Sequence, residues 1–159
     1  MILSANQLEY LSRHPPGLAV AAALSALLRN DYDLLIMNAN ERSITFRFAM
    51  YLQSQFPDWT VDCEFNRDGV DPKKLEHMDL YPDSEDDEAK TVFPDVIVHR
   101  RGTKQNHLAL EFKKSTSHVD RQIDLKKLLG YKQQLCYAHA LFVEVETGGQ
   151  ASIVVLEWI

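Results

Sequence analysis

Two apolar runs, separated by a short polar stretch, constrain this chain more than any other feature. Residues 93–99 read Phe-Pro-Asp-Val-Ile-Val-His and residues 107–113 read His-Leu-Ala-Leu-Glu-Phe-Lys. Their apolar and β-branched content is that of buried strands, and residues 100–106, with Gly102 among them, have the length and polarity of a hairpin loop. Neighbouring strands are therefore expected. Residues two apart in a strand share a face, so Glu111 and Lys113 leave one side of the sheet while Leu110 and Phe112 leave the other. The hairpin brings Asp95 close to the first pair.

Carboxylates crowded into an apolar sheet repel one another and lose hydration, which is tolerable when a lysine or a bound cation compensates them. Hard oxygen ligands suit Mg2+ or Mn2+. A lysine beside such an ion is equipped to orient water against a phosphodiester. Pro94-Asp95 followed by Glu111-Phe112-Lys113 resembles the signature of the PD-(D/E)XK nuclease superfamily, over roughly residues 41–146. The resemblance implies a restriction-endonuclease-like fold with an αβββαβ core. It also implies that Asp95 and Glu111 hold Mg2+ with the Phe112 carbonyl as a further ligand, that Lys113 positions the attacking water, and that DNA is cut to leave a 5′-phosphate.

Many members of that superfamily also direct a glutamate from an upstream helix at the metal. Residues 39–56 read as a helix whose Ile44, Phe48, Leu52 and Phe56 recur every four residues as an inner face. Glu41 lies at its start and has the matching place. A capping box with Asn38, or simple complementation of the helix dipole, explains the same residue without catalysis. Arg47, Tyr51 and Gln55 fall on the more polar side, as surface or DNA-contact candidates.

A net charge of −6 looks unsuited to a nucleic-acid partner, since phosphate contacts need cations. The distribution changes the reading. Asp79, Asp83, Glu85, Asp86, Asp87 and Glu88 account for the whole of it, whereas residues 96–132 carry nine cations against three acids. Arg100, Arg101, Lys114, Lys127 and Tyr131 are the expected nucleic-acid contacts around the site; the bland reading of the charges is a solvated face.

The 159 residues, 45% hydrophobic, are expected to form one domain. Residues 1–37 make a helical extension, with Pro15-Pro16 before an apolar helix over 18–30, which is either buried or packed on another subunit. Residues 38–159 make the core. It holds a half-buried strand near 59–65 with Asp62 and Glu64 toward solvent, and a long acidic, mobile insertion at about 66–90 with a brief helix over 72–78. A helix follows over 120–138, started by Ser117 or nearby. Two last strands, 140–146 and 151–158, are joined by Thr147-Gly148-Gly149-Gln150. The fold class is α/β, a mixed sheet flanked by helices.

On the 120–138 helix, Asp124, Lys127, Tyr131 and Gln134 share one stripe. Gln133 and Tyr137 match a Gln-x-x-x-Tyr pattern found on this helix in some members of the superfamily. His99, His107 and His118 are expected near the site as polar loop or strand residues. Cys63 and Cys136 read as reduced core residues of a cytoplasmic protein, and no run is long enough for a membrane span.

The expected function is a metal-dependent endonuclease acting on DNA in restriction, phage defence or repair, with Asp95, Glu111, Lys113 and Glu41 as its catalytic set. A homodimer cutting both strands, through the 18–28 helix, suits so small a domain. The alternative is a DNA- or protein-binding module of a defence or repair complex, with chemistry that is idle or needs a protein partner. A third reading makes Glu111 and Lys113 a surface pair, with Asp95 facing solvent.

Overall fold

A computed structural model describes residues 2–76 and 90–159. The acidic run at 79–88 lies outside the described residues. In chain order the elements are α1 (Ala5–Ser12), α2 (Gly17–Asn30), α3 (Tyr32–Ile36), α4 (Glu41–Gln55), β1 (Thr60–Cys63), β2 (Arg67–Asp68), β3 (Asp71–Pro72), β4 (Lys74–Leu75), β5 (Lys90–Thr91), β6 (Val96–His99), β7 (Asn106–Lys114), α5 (Arg121–Gln134), β8 (His139–Glu146) and β9 (Ser152–Trp158).

The expected hairpin forms. β6 pairs antiparallel with β7, Val96 opposite Leu110 and Val98 opposite Leu108, and β7 pairs parallel with β8. With β1 and β9 at the edges, the five-stranded mixed sheet has the order β1-β6-β7-β8-β9. Parallel strands need a long crossover, and α5 supplies it between β7 and β8.

Alternation along the strands divides the core in two. Val96, Val98, Leu108, Leu110, Phe112, Leu141, Val143 and Val145 join the helices α1 to α4 on one face. Ile97, Ala109, Ala140 and Phe142 join Leu128 and Tyr131 of α5, and Leu135 just after it, on the other. Helix α4 begins where Asn40 accepts the Ser43 amide at 2.8 Å, so the cap is Asn40 and the box anticipated from Asn38 does not form. Ile44, Phe48 and Leu52 then enter the core, and the Phe48 ring meets that of Phe112 with centroids 4.8 Å apart. Arg47 and Tyr51 both bind Asp31, which Arg47 reaches at 2.9 Å while its side chain stays 36% exposed.

The all-round apolarity of α2 is used inside the chain: Val20, Ala21, Ala23, Leu24, Leu27 and Leu28 are buried, leaving Leu18 as its exposed leucine. Gly17 permits the tight entry, because a Cβ there would sit 1.7 Å from the Leu11 carbonyl oxygen.

Within the expected insertion, residues 66–76 carry short strands. β2 pairs with β3 and β4 with β5, so the anticipated helix over 72–78 does not form over its described residues 72–76. Lys73 is fully buried and ties the segment down by donating to the carbonyls of Phe65, at 3.0 Å, and Arg67. Helix α5 starts at Asp120, which accepts the Gln122 amide at 2.9 Å, and ends at Gln134. Gln133 is therefore exposed on its last turn, while Tyr137 lies beyond it, buried, so the Gln-x-x-x-Tyr pattern does not share one helix. Cys136 likewise falls outside the helix and is exposed. Among the described residues, no helix is long and apolar enough to cross a membrane.

Phe48→Ala removes the ring that joins α4 to β7 and is expected to cost about 3–5 kcal/mol in urea unfolding. Arg42→Ala, at an ion pair whose arginine side chain is 83% exposed, is expected to leave the unfolding midpoint unchanged.

Candidate active site

The strand register that fills the core also collects charge at one end of the sheet. Val96 lies opposite Leu110, so Asp95, one residue earlier, comes opposite Glu111. The Asp95 carboxylate accepts the Phe112 amide through Oδ2 at 2.7 Å, and its other oxygen has no hydrogen-bond partner among the described residues. Glu111 and Lys113 point to the α5 side, as period-two alternation requires, where α5 answers with three side chains from successive turns. Lys127 Nζ donates to Glu111 Oε2 at 2.7 Å and the Tyr131 hydroxyl donates to Oε1 at 2.8 Å. Asp124 Oδ2 accepts from Lys113 Nζ at 2.5 Å, and its Oδ1 lies 3.4 Å from Lys127 Nζ.

Glu41 arrives from the start of α4 and accepts the Lys114 amide at 3.1 Å. Glu41, Asp95, Glu111, Phe112, Lys113, Asp124 and Lys127, with Ser117, Val119 and Ile123, line a pocket of about 180 Å³. The fold thus brings together all four expected catalytic residues. The surface-pair reading fails, because Glu111 is 1% exposed and Lys113 is 7% exposed.

Charge does not balance inside this pocket. Four carboxylates (Glu41, Asp95, Glu111, Asp124) face two ammonium groups (Lys113, Lys127), an excess of two negative charges. Proton affinities respond accordingly. Burial, and then the neighbouring Glu111 charge, push Asp95 well above the usual carboxylate range. Burial raises Glu111 too, against the pull of Lys127 and the Tyr131 hydroxyl, and burial raises Glu41 against the Lys114 amide and Lys113. Burial opposes the charge on Lys127, but the Glu111 carboxylate more than offsets it and strengthens its hold on its proton.

Among the described residues, no three acidic, histidine or cysteine side chains close on a single point as a finished metal cage does. The donor set nevertheless suits a hard divalent cation: it is all oxygen, it carries two surplus negative charges, and Asp95 keeps an unengaged oxygen in the pocket lining. Each Glu111 oxygen also retains a lone pair beyond its present bond.

Several expected phosphate contacts are placed otherwise. Tyr131 is fully buried and spends its hydroxyl on Glu111, and Lys127 is an internal counter-ion, so neither presents itself to a surface phosphate. Lys114 donates to Asn38 Oδ1 at 3.0 Å and the Ala39 carbonyl at 3.1 Å. Arg100 and Arg101 sit at the tip of the β6–β7 hairpin, five strand residues or roughly 16 Å from Asp95. These two arginines therefore lie away from the pocket, whereas Lys114 stays close enough to act on Glu41. Arg100 lies over the Trp59 ring, 4.8 Å from its centroid, and Arg101 binds Asp62 with Nε at 2.8 Å.

Asp62 was expected toward solvent, yet its side chain is only 11% exposed because it also binds His99 Nε2 at 2.7 Å. Burial alone would raise its proton affinity, but Arg101 and His99 hold it below the usual range. His99 and His107 belong to this far end, the latter stacked on Trp59 at 5.0 Å. His118 is exposed in the loop before α5.

Asp124 is the residue that sequence reasoning left without a role. Its signal was present: it shares a stripe with Lys127 and Tyr131, and a buried stripe of charged residues needs a charged partner to face. Comparison with known proteins returns no match to this chain, whether among family models, curated proteins or solved structures.

Asp95→Asn keeps an acceptor for the Phe112 amide and removes one charge. A carboxylate whose proton affinity is raised by folding binds more protons folded than unfolded, so its stability contribution falls as pH rises from about 4 through the raised value. The metal-free variant is therefore expected to melt above wild type at pH 7, with the gap closing toward pH 4. A lower melting temperature at pH 7, measured by circular dichroism, contradicts this electrostatic account.

Proposed function

We propose that this protein is a metal-dependent deoxyribonuclease of the PD-(D/E)XK type. The observation that carries the reading is the convergence of Glu41 from α4, Asp95 from just before β6, and Glu111 and Lys113 from β7 on one pocket with two uncompensated negative charges. The order α4, β1, β6, β7, α5, β8 around the mixed sheet supports the αβββαβ core that the resemblance implies. Asp95, Glu111, the Phe112 carbonyl and Glu41 would hold Mg2+ or Mn2+, which supplies a Lewis acid for phosphodiester hydrolysis.

The remaining chemistry belongs to the chain itself. Lys113, aligned by its short bond to Asp124, presents an ammonium group that positions water and meets charge developing on a phosphate. Asp124 positions Lys113 rather than touching substrate. Tyr131 fixes the Glu111 carboxylate plane, and Ile123 and Val119 line the pocket beside it.

A second reading, a nucleic-acid or protein-binding module with idle chemistry, is favoured by one observation. Lys127 and Tyr131 already engage both oxygens of Glu111, as an internal substitute for a cation would.

Purified protein incubated with supercoiled, linear and single-stranded DNA is expected to cut in Mg2+ or Mn2+ and not in EDTA. Lys113→Ala is expected to slow cutting about 10²–10⁴-fold. Equal cutting by wild type, Lys113→Ala and Asp95→Ala overturns the nuclease reading. Retention of DNA in a gel shift with no cutting by any of them selects the binding module.

A further inference from the structure

We infer that Lys127 is a resident cation of the pocket, standing where a second metal ion would otherwise bind, so that the site takes one divalent ion and not two. The inference rests on the nuclease reading, and specifically on the pocket being a cation site. It is drawn from where the ammonium group lies. Lys127 Nζ bridges two carboxylates from different elements, Glu111 of β7 at 2.7 Å and Asp124 of its own helix at 3.4 Å.

The bridge is buried on both sides. The Glu111 side chain is 1% exposed, that of Asp124 9% and that of Lys127 16%, so these are charge-assisted bonds in a poorly hydrated setting. A second ion seated between Glu111 and Asp124 would have to displace the ammonium group and leave it buried without its partners. Asp95, by contrast, keeps one oxygen with no hydrogen-bond partner among the described residues, and Glu41 lines the same pocket.

Charge arithmetic reaches the same number. With Lys127 in place the pocket carries two surplus negative charges, which one divalent ion neutralises; without it the surplus is three, and a single divalent ion leaves one uncompensated. Lys113 does not substitute, because its ammonium group is committed to the other Asp124 oxygen.

Bound Mn2+ counted by electron paramagnetic resonance tests this without reference to activity. Wild type is expected to bind one Mn2+ per chain, and Lys127→Met two. Lys127→Gln, which keeps a hydrogen-bond donor for Glu111 without the charge, should also bind two, and Lys127→Arg should return the count to one. Two ions in wild type, or one in both uncharged variants, overturns the resident-cation assignment while leaving the metal site intact. No bound Mn2+ in wild type removes the metal-site reading and this inference with it. A wild-type count of two overturns the assignment even where a variant fails to fold.

Discussion

The carboxylate of Glu111, buried in the middle of a mostly apolar sheet, is the constraint around which this end of the molecule is arranged. A lone carboxylate there would be prohibitively costly, and the chain satisfies it with a lysine and a tyrosine one turn apart on the crossover helix. That requirement explains why α5, although it covers a sheet face, has a charged inner stripe. It also explains why the helix is anchored where it is, since its register must deliver Asp124, Lys127 and Tyr131 to Glu111 and Lys113 together.

The two faces of the sheet divide the work. On the α4 side, Phe48, Ile44 and Leu52 share one hydrophobic cluster with Leu110 and Phe112. That rigid wall fixes the backbone of β7, so the side chains on its opposite face stand at defined positions. Glu41 links the faces by accepting the Lys114 amide at the strand's end. Precision at the pocket therefore derives from hydrophobic packing that contains no reactive group at all.

The two ends of the β6–β7 hairpin are likewise different electrostatic environments. At the pocket end, acids outnumber bases, and burial raises the proton affinities of Asp95, Glu111 and Glu41. At the loop end, Asp62 is outnumbered by Arg101 and His99 and its proton affinity falls. The cationic stretch read from the sequence is thus spread over both ends of the sheet. Much of it is spent on internal ion pairs such as Lys104 with Asp68 and Lys127 with Glu111.

The sequence by itself determined the hairpin, the side of β7 on which Glu111 and Lys113 emerge, the inner face of α4 and the closing β8–β9 pair. All of these follow from local periodicity and turn chemistry, which act over a few residues. It also determined the residue types available to the pocket, through a short motif whose two halves lie on adjacent strands. Tertiary structure alone decided which charges meet. Whether Lys127 faces phosphate or Glu111, whether Arg101 reaches a ligand or Asp62, and whether Asp124 matters depend on the rotation of one helix over a sheet and on partners 11 to 39 positions away in the chain. The short strands over residues 66–76 were hidden for the same reason: they are held by pairing and by the buried Lys73, not by propensity. Charge pairing is long-range in sequence and contact-range in space, so a linear pattern supplies the charges while only the packed fold assigns their partners.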